Sequence, residues 1–210
     1  MQELGTSPSL TARLVAVLFL VAGVGCSSPE APGTPDAADM PDGATTGNDS
    51  PGDARRVFVT GAVLGNLYES PAGLIGGDAR CNRVATSSGL GGTWRAWLSA
   101  EGSNAIDRIE GDGPWYLTDG STLVFASRAA LAAGPAAKIN RDELGGELAD
   151  DLPVWTGTTS TGASLASTCS AWTAIAGSGH VGRIGSMTAS WTDDGELGCG
   201  SYAYLYCFEQ

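Results

Sequence analysis

The chain has 210 residues, of which 31 are glycine and only 16% are charged. A formal net charge of −12 argues against nucleic acid, heparin-like polyanions and anionic membrane surfaces as partners. The length suits one ordinary domain plus a tail, and the glycine content favours loops and short strands over helices.

In chain order, the first feature is the apolar run LVAVLFLVAGV at residues 14–24, preceded by Arg13 and offset by Glu3. It is too short to span a bilayer and suits the core of a signal peptide covering residues 1–25. Gly23, Val24, Gly25 and Cys26 then resemble a bacterial lipobox, in which the cysteine is lipidated and becomes the mature N-terminus. Glycine stands where a large aliphatic residue is usual, and the same small residues suit an ordinary signal peptidase. Cysteine parity separates the two readings. Of the five cysteines, lipidation of Cys26 leaves Cys81, Cys169, Cys199 and Cys207, an even set suited to two disulfides in an oxidising compartment. Those four allow three pairings, and spacing does not choose among them. Ser27 and Ser28 follow the cysteine without an aspartate. The expectation is therefore an exported protein, lipid-anchored at the cell envelope and at the outer membrane, which meets the membrane only through its lipid.

Residues 26–55 are rich in Pro, Gly, Ala and Asp and have almost nothing to bury. Such a segment reads as a disordered tether with a reach of roughly 30 Å by flexible-chain scaling. The globular part is expected over residues 56–210. Residues 57–60 read as a first strand, 74–88 as the main helix with Gly89 as its stop, and 94–99 as a second strand. A short helical turn is expected at 105–109. Strands at 115–117 and 123–125 flank Asp119 and Gly120, a hairpin turn signal. Ser127 is a candidate cap for a short helix over 128–133, ended by Gly134 and Pro135. Residues 154–156 form a short strand ahead of loops that carry Cys169, His180, Trp191 and Cys199. Residues 202–210, YAYLYCFEQ, read as one final strand with both faces apolar or aromatic, buried on both sides and stapled by Cys207. No fixed-period repeat is present.

Five segments carry a family resemblance: GGDARC at 76–81, GLGGTWRAWLS at 89–99, VWTG at 154–157, CSAW at 169–172 and LYCFE at 205–209. In order and rough spacing they resemble endostatin, the C-terminal domain of certain vertebrate collagens. They are closer to a family of bacterial surface lipoproteins with an endostatin-like, C-type-lectin-like domain. The resemblance implies an α+β fold with short antiparallel sheets, one main helix and a long loop region between Val154 and Cys199. It also implies nested disulfides, Cys81 with Cys207 and Cys169 with Cys199.

Many C-type lectins hold calcium and sugar through a Trp-Asn-Asp motif, which Trp191, Thr192 and Asp193 match in part. Asp193, Asp194 and Glu196, with Asp150 and Asp151, are the oxygen donors available, yet calcium needs six to eight oxygens from several segments. A solvated acidic loop is the alternative, and no cofactor is expected. The zinc and heparin sites of endostatin do not carry over, because His180 is the single histidine and arginines are few. Arg80, Arg83 and Arg95 are expected in surface ion pairs with Asp78 or Asp107. No metal-ligand cluster or nucleophile elbow is present. His180 would have to serve any Ser-His-Asp site, and Asp142 with Glu143 any carboxylate pair. The protein is not expected to be an enzyme. Trp97, Trp155 and Trp172 read as core, and Trp94 and Trp97 point to opposite faces of a strand covered on both sides. Trp191 is the candidate tryptophan for meeting a ligand, with Asp193 and Asp194, and the alternative is that it packs under the loop. The expected function is a tethered, non-catalytic recognition domain for a glycan or a surface protein. A structural envelope protein without a ligand and a hydrolase are the alternatives.

Overall fold

The computed structural model describes residues 54–68 and 71–210, so the expected signal peptide, Cys26 and nearly all of the tether lie outside the described residues. The central sheet contains β1 (Arg55–Val59), β3 (Trp94–Ala96), β4 (Trp115–Leu117), β5 (Leu123–Phe125) and β10 (Tyr206–Glu209). Their order is β3-β10-β1-β4-β5. β1 and β4 run parallel, and every other pairing in this sheet is antiparallel. Two smaller antiparallel sheets join β2 (Val63–Leu64) to β9 (Tyr202–Ala203), and β6 (Pro153–Trp155) to β7 (Ser178–Arg183) to β8 (Gly195–Gly198). The expected α+β class, main helix and short, mostly antiparallel sheets are all present.

Alternation along β1 and β10 places a core on each face of the central sheet. Val57, Val59, Tyr206 and Phe208 face one core, together with Trp97, Trp115, Phe125 and Trp191. Phe58, Leu205 and Cys207 face the other, with Trp94, Trp155, Trp172 and the helix residues Cys81 and Ala85. The final segment is buried on both sides as expected, but it is not one strand. After β9, Tyr204 leaves for the third sheet, donating to Pro153 O (3.0 Å) and accepting from Trp155 N (2.9 Å). Leu205 then bonds Thr60 through both its N–H and its carbonyl before β10 enters the central sheet. Changing sheets lets one short segment satisfy backbone groups of three sheets, which a straight strand cannot do.

Helix α1 (Leu74–Ser87) buries Gly76, Gly77, Cys81 and Ala85 and stops at Ser88 and Gly89, whose φ of 73° suits glycine. A Cβ at Gly77 would stand 2.6 Å from Leu98 Cδ1 and 3.2 Å from Ala96 Cβ. The glycine is what lets the helix lie so close to β3. Cys81 bonds Cys207 across a Cα–Cα distance of 5.5 Å, and Cys169 bonds Cys199 across 5.6 Å. This is the nested pairing that the resemblance implies.

Two local expectations change. Residues Arg128–Ala132 form a 3-10 helix, and Ser127 makes no side-chain cap to it; Arg128 N donates instead to Asp112 O. Asp78 is engaged by a residue that the sequence reading did not single out, because Arg108 on α2 (Ala105–Arg108) donates to both of its oxygens at 2.7 Å. Arg95 pairs with Glu110 at 2.6 Å rather than with Asp78 or Asp107.

The turn between β4 and β5 is the one expected. Asp119 Oδ1 accepts from Ser121 N and Thr122 N, both at 2.8 Å, and Oδ2 accepts from the Thr122 hydroxyl at 2.6 Å. The Thr122 hydroxyl first, then the two N–H groups, hold its carboxyl down to about 2. A depressed carboxyl contributes stability above its unfolded value of 3.8 and loses it as pH falls through about 2. The group is exposed, so screening keeps the contribution below about 1 kcal/mol. Unfolding of Asp119→Asn compared with the parent should show a gap at pH 5 that closes near pH 2.

Candidate functional site

The least ordinary backbone in the domain is the single turn Cys169–Trp172, whose φ angles are 50°, 54°, 55° and 64°. Four successive left-handed residues with no glycine among them cost roughly 1–2 kcal/mol each. Several bonds hold them there. Thr168 O accepts from Trp172 N at 2.7 Å, and the Thr168 hydroxyl accepts from Ala171 N at 3.3 Å. Cys169 O accepts from Thr173 N and Ala174 N at 3.0 Å, while its sulfur is tied to Cys199. The Trp172 indole is fully buried, meets the Trp155 ring at 5.9 Å with the planes tilted by 60°, and donates to Ser99 O at 2.8 Å. Tertiary contacts over-determine this turn, which is the condition under which such strain persists. Changing Ser170 to Gly removes the Cβ conflict but frees the unfolded chain, so a net gain of about 0.5–1 kcal/mol is expected. A thermal scan should show the transition rising by roughly 1–4 °C.

This turn forms one wall of a groove of about 550 Å³. Ser164, Leu165, Ala166, Thr168, Ser170 and Ala171 line one side, and Glu101 lines the other. Glu101 sits in a tight turn closed by reciprocal bonds between Ala100 and Ser103 at 3.0 and 2.9 Å, with Gly102 at φ 73°. The walls are braced to each other. Besides the Trp172–Ser99 bond, Ser164 N donates to Asn104 Oδ1 at 2.9 Å, and the Ser99 and Thr158 hydroxyls are 2.9 Å apart. Small-ligand sites are concave and largely pre-formed, and this cleft with its braced walls shares those two features while being more polar than most.

The acidic loop is arranged differently from the expectation. Trp191 is fully buried, packed on Trp97 at 4.9 Å, Phe125 at 5.3 Å and Tyr206 at 5.6 Å. Its ring offers no face to a ligand, because the 3-10 turn Ala189–Trp191 directs it into the core. Thr192 is buried as well: its hydroxyl accepts from Trp97 Nε1 at 2.8 Å and its carbonyl from the Thr156 hydroxyl at 2.6 Å. Asp193 holds His180 Nε2 at 2.6 Å and accepts from Ser160 N at 3.2 Å. Asp194 is gripped by Arg183 at 3.0 and 2.5 Å. Glu196, opposite His180 in the β7–β8 pair, takes the hydroxyls of Ser167 and Ser178. Those hydroxyls, with the nearby His180, hold its carboxyl below the usual range. Lys138 pairs with Asp150. Among the described residues, no three of His, Cys, Asp and Glu converge on a point where a metal ion would sit.

Asp193 thereby acts on the groove from behind. His180 O accepts from Thr156 N and Gly157 N at 3.1 Å, and His180 N donates to Ser167 O at 2.7 Å. Together with the Asp193–Ser160 bond, these fix both ends and the middle of the loop that supplies Ser164, Leu165 and Ala166. Asp142 is occupied in its own turn, accepting from Leu144 N at 2.9 Å and Gly146 N at 2.6 Å. The groove was not legible in the sequence, since CSAW carries no glycine or asparagine to signal left-handed backbone. The comparisons with family models and with curated proteins find no match to this chain.

Proposed function

We propose that the chain is a cell-envelope lipoprotein, tethered by a lipid on Cys26, that displays a non-catalytic recognition domain of C-type-lectin-like, endostatin-like kind. Its ligand is a glycan or a surface protein. The observation that carries the reading is the braced groove between Glu101 and the left-handed turn. Backbone strain held in place beside a cleft on loops marks a place where shape serves recognition. Two disulfides suit an oxidising, extracytoplasmic setting. Asp193 takes part by setting the position of the groove loop through Ser160, while Asp194 is held by Arg183 outside the lining.

A glycan array and a surface-protein screen, run with and without calcium, test the reading, repeated with Leu165→Arg and Asp193→Ala. Binding that both substitutions leave intact would place the site elsewhere. Hydrolysis of a screened compound that is lost in His180→Ala would replace recognition by catalysis. For the anchor, intact mass and detergent partitioning of the native protein are compared with Cys26→Ala. Equal aqueous partitioning of the two would leave simple secretion.

A further inference from the structure

We infer that the groove recognises an amino sugar bearing a free, protonated amine; this rests on the recognition reading above and names the chemistry of its ligand. Glu101 is the one charged residue in the lining, and no hydrogen bond or ion pair engages its carboxylate among the described residues. Most other carboxylates near the long loop are already neutralised or hydrogen-bonded: Asp150 by Lys138, Asp193 by His180, Asp194 by Arg183, and Glu196 by two serines. Residues 54–210 carry 16 Asp and Glu against 10 Lys and Arg, and in that acidic setting an open carboxylate in a cleft attracts a cation and repels uronic or sialic acids.

The facing wall supplies the remainder of the ligand's chemistry. The Ser164 and Ser170 hydroxyls make no side-chain hydrogen bond among the described residues, and Leu165, Ala166 and Ala171 lie between and beside them. Hydroxyls interleaved with small apolar groups match a sugar ring, which presents hydroxyls at its edge and C–H groups on its faces. A volume of about 550 Å³ falls within the range of small-ligand pockets. An extended peptide fits less well, because strand addition needs a row of open backbone groups. Here Ser164 N, Leu165 N, Ala171 N, Cys169 O and Ser170 O are already bonded within the domain. A charge-assisted hydrogen bond from the ammonium to Glu101 then separates the free amine from its N-acetylated form.

The test is calorimetric titration of the exported, disulfide-bonded protein with a fully de-N-acetylated glucosamine tetrasaccharide, its N-acetylated counterpart and a lysine-containing tetrapeptide. The free-amine sugar should bind about tenfold more tightly than the acetylated one at low salt, the difference expected for a hydrogen bond to a charged group. Added salt should shrink that ratio. Glu101→Gln, an exposed change that breaks no described contact, should bring the ratio near one and leave the melting curve unchanged. Ala171→Arg, which adds a cation and fills the groove, should abolish binding of both sugars. An equal ratio in the parent and Glu101→Gln, tighter binding of the acetylated sugar, or tighter binding of the peptide would overturn the amino-sugar assignment alone. Absence of any saccharide binding, together with an empty screen, would overturn the recognition reading as well.

Discussion

Removing the Cys81–Cys207 bridge, as Cys81→Ser with Cys207→Ser, is expected to cost roughly 5 kcal/mol, against roughly 4 for Cys169–Cys199 on the chain-entropy model. The sequence separations of 126 and 30 set that order. The structure widens the gap. Cys207 lies in an interior strand of the central sheet and Cys81 on the helix that covers it, so their loss loosens the domain as a whole. Losing Cys169–Cys199 also lets the left-handed turn relax, and relief of that strain offsets part of the lost constraint. Denaturant unfolding should rank the variants in this order. Limited proteolysis should cut the second variant chiefly within residues 157–175, and the first throughout. A domain of ordinary stability, 5–15 kcal/mol, has little left after the first lesion.

The second large effect is expected at Asp78. Its carboxylate accepts from Arg108 at 2.7 Å on each oxygen and from Ala96 N at 2.9 Å, while Arg108 also donates to Ala96 O and Leu98 O. The Arg108 side chain is only 12% exposed and that of Asp78 23%. Asp78→Ala leaves a guanidinium without its counter-charge and a strand N–H without its acceptor. Breaking a buried pair on one side costs about 3–5 kcal/mol, and the partial exposure here argues for about 3. The midpoint of thermal unfolding should fall by roughly 6–12 °C. A cycle with Arg108→Met distinguishes the mechanisms: the double variant should be less destabilised than the two singles summed, because the stranded charge is gone. Additive losses would mean that the pair is only a surface contact.

What the sequence could show follows from which signals are local. Helix α1 ends where Gly89 says, the β4–β5 turn sits on Asp119 and Gly120, and aromatic alternation finds a segment buried on both faces. Trp97, Trp155 and Trp172 are core as their positions suggest. Local pattern is silent where tertiary contacts override it. Trp191 sits in a polar, glycine-rich stretch, and only a ring packed on Trp97, Phe125 and Tyr206 reveals that it faces inward. The left-handed turn at Cys169–Trp172 violates residue preference and is held by Thr168, Ser99 and Cys199, which lie within one residue in one case and 30 or more in the others. Glu101 and Ser164 are brought to one cleft by Asn104 and by the Trp172 indole, a juxtaposition that no window of sequence contains.

The position of β10 has a consequence for how the domain comes into being. The strand is last in chain order, yet it lies between β3 and β1, and it contributes to both cores. Until residues 206–209 have been delivered, β1 and β3 have no neighbour in common and each core lacks one side. Before β10 docks, the five-stranded sheet is split into β3 on one side and β1, β4 and β5 on the other, so neither core can close. Closure then depends on contacts distant in sequence, which makes the final step slow relative to local turns. The Cys81–Cys207 bridge can form only when that strand arrives, so its oxidation records docking, whereas Cys169 and Cys199 both precede the strand and can pair without it.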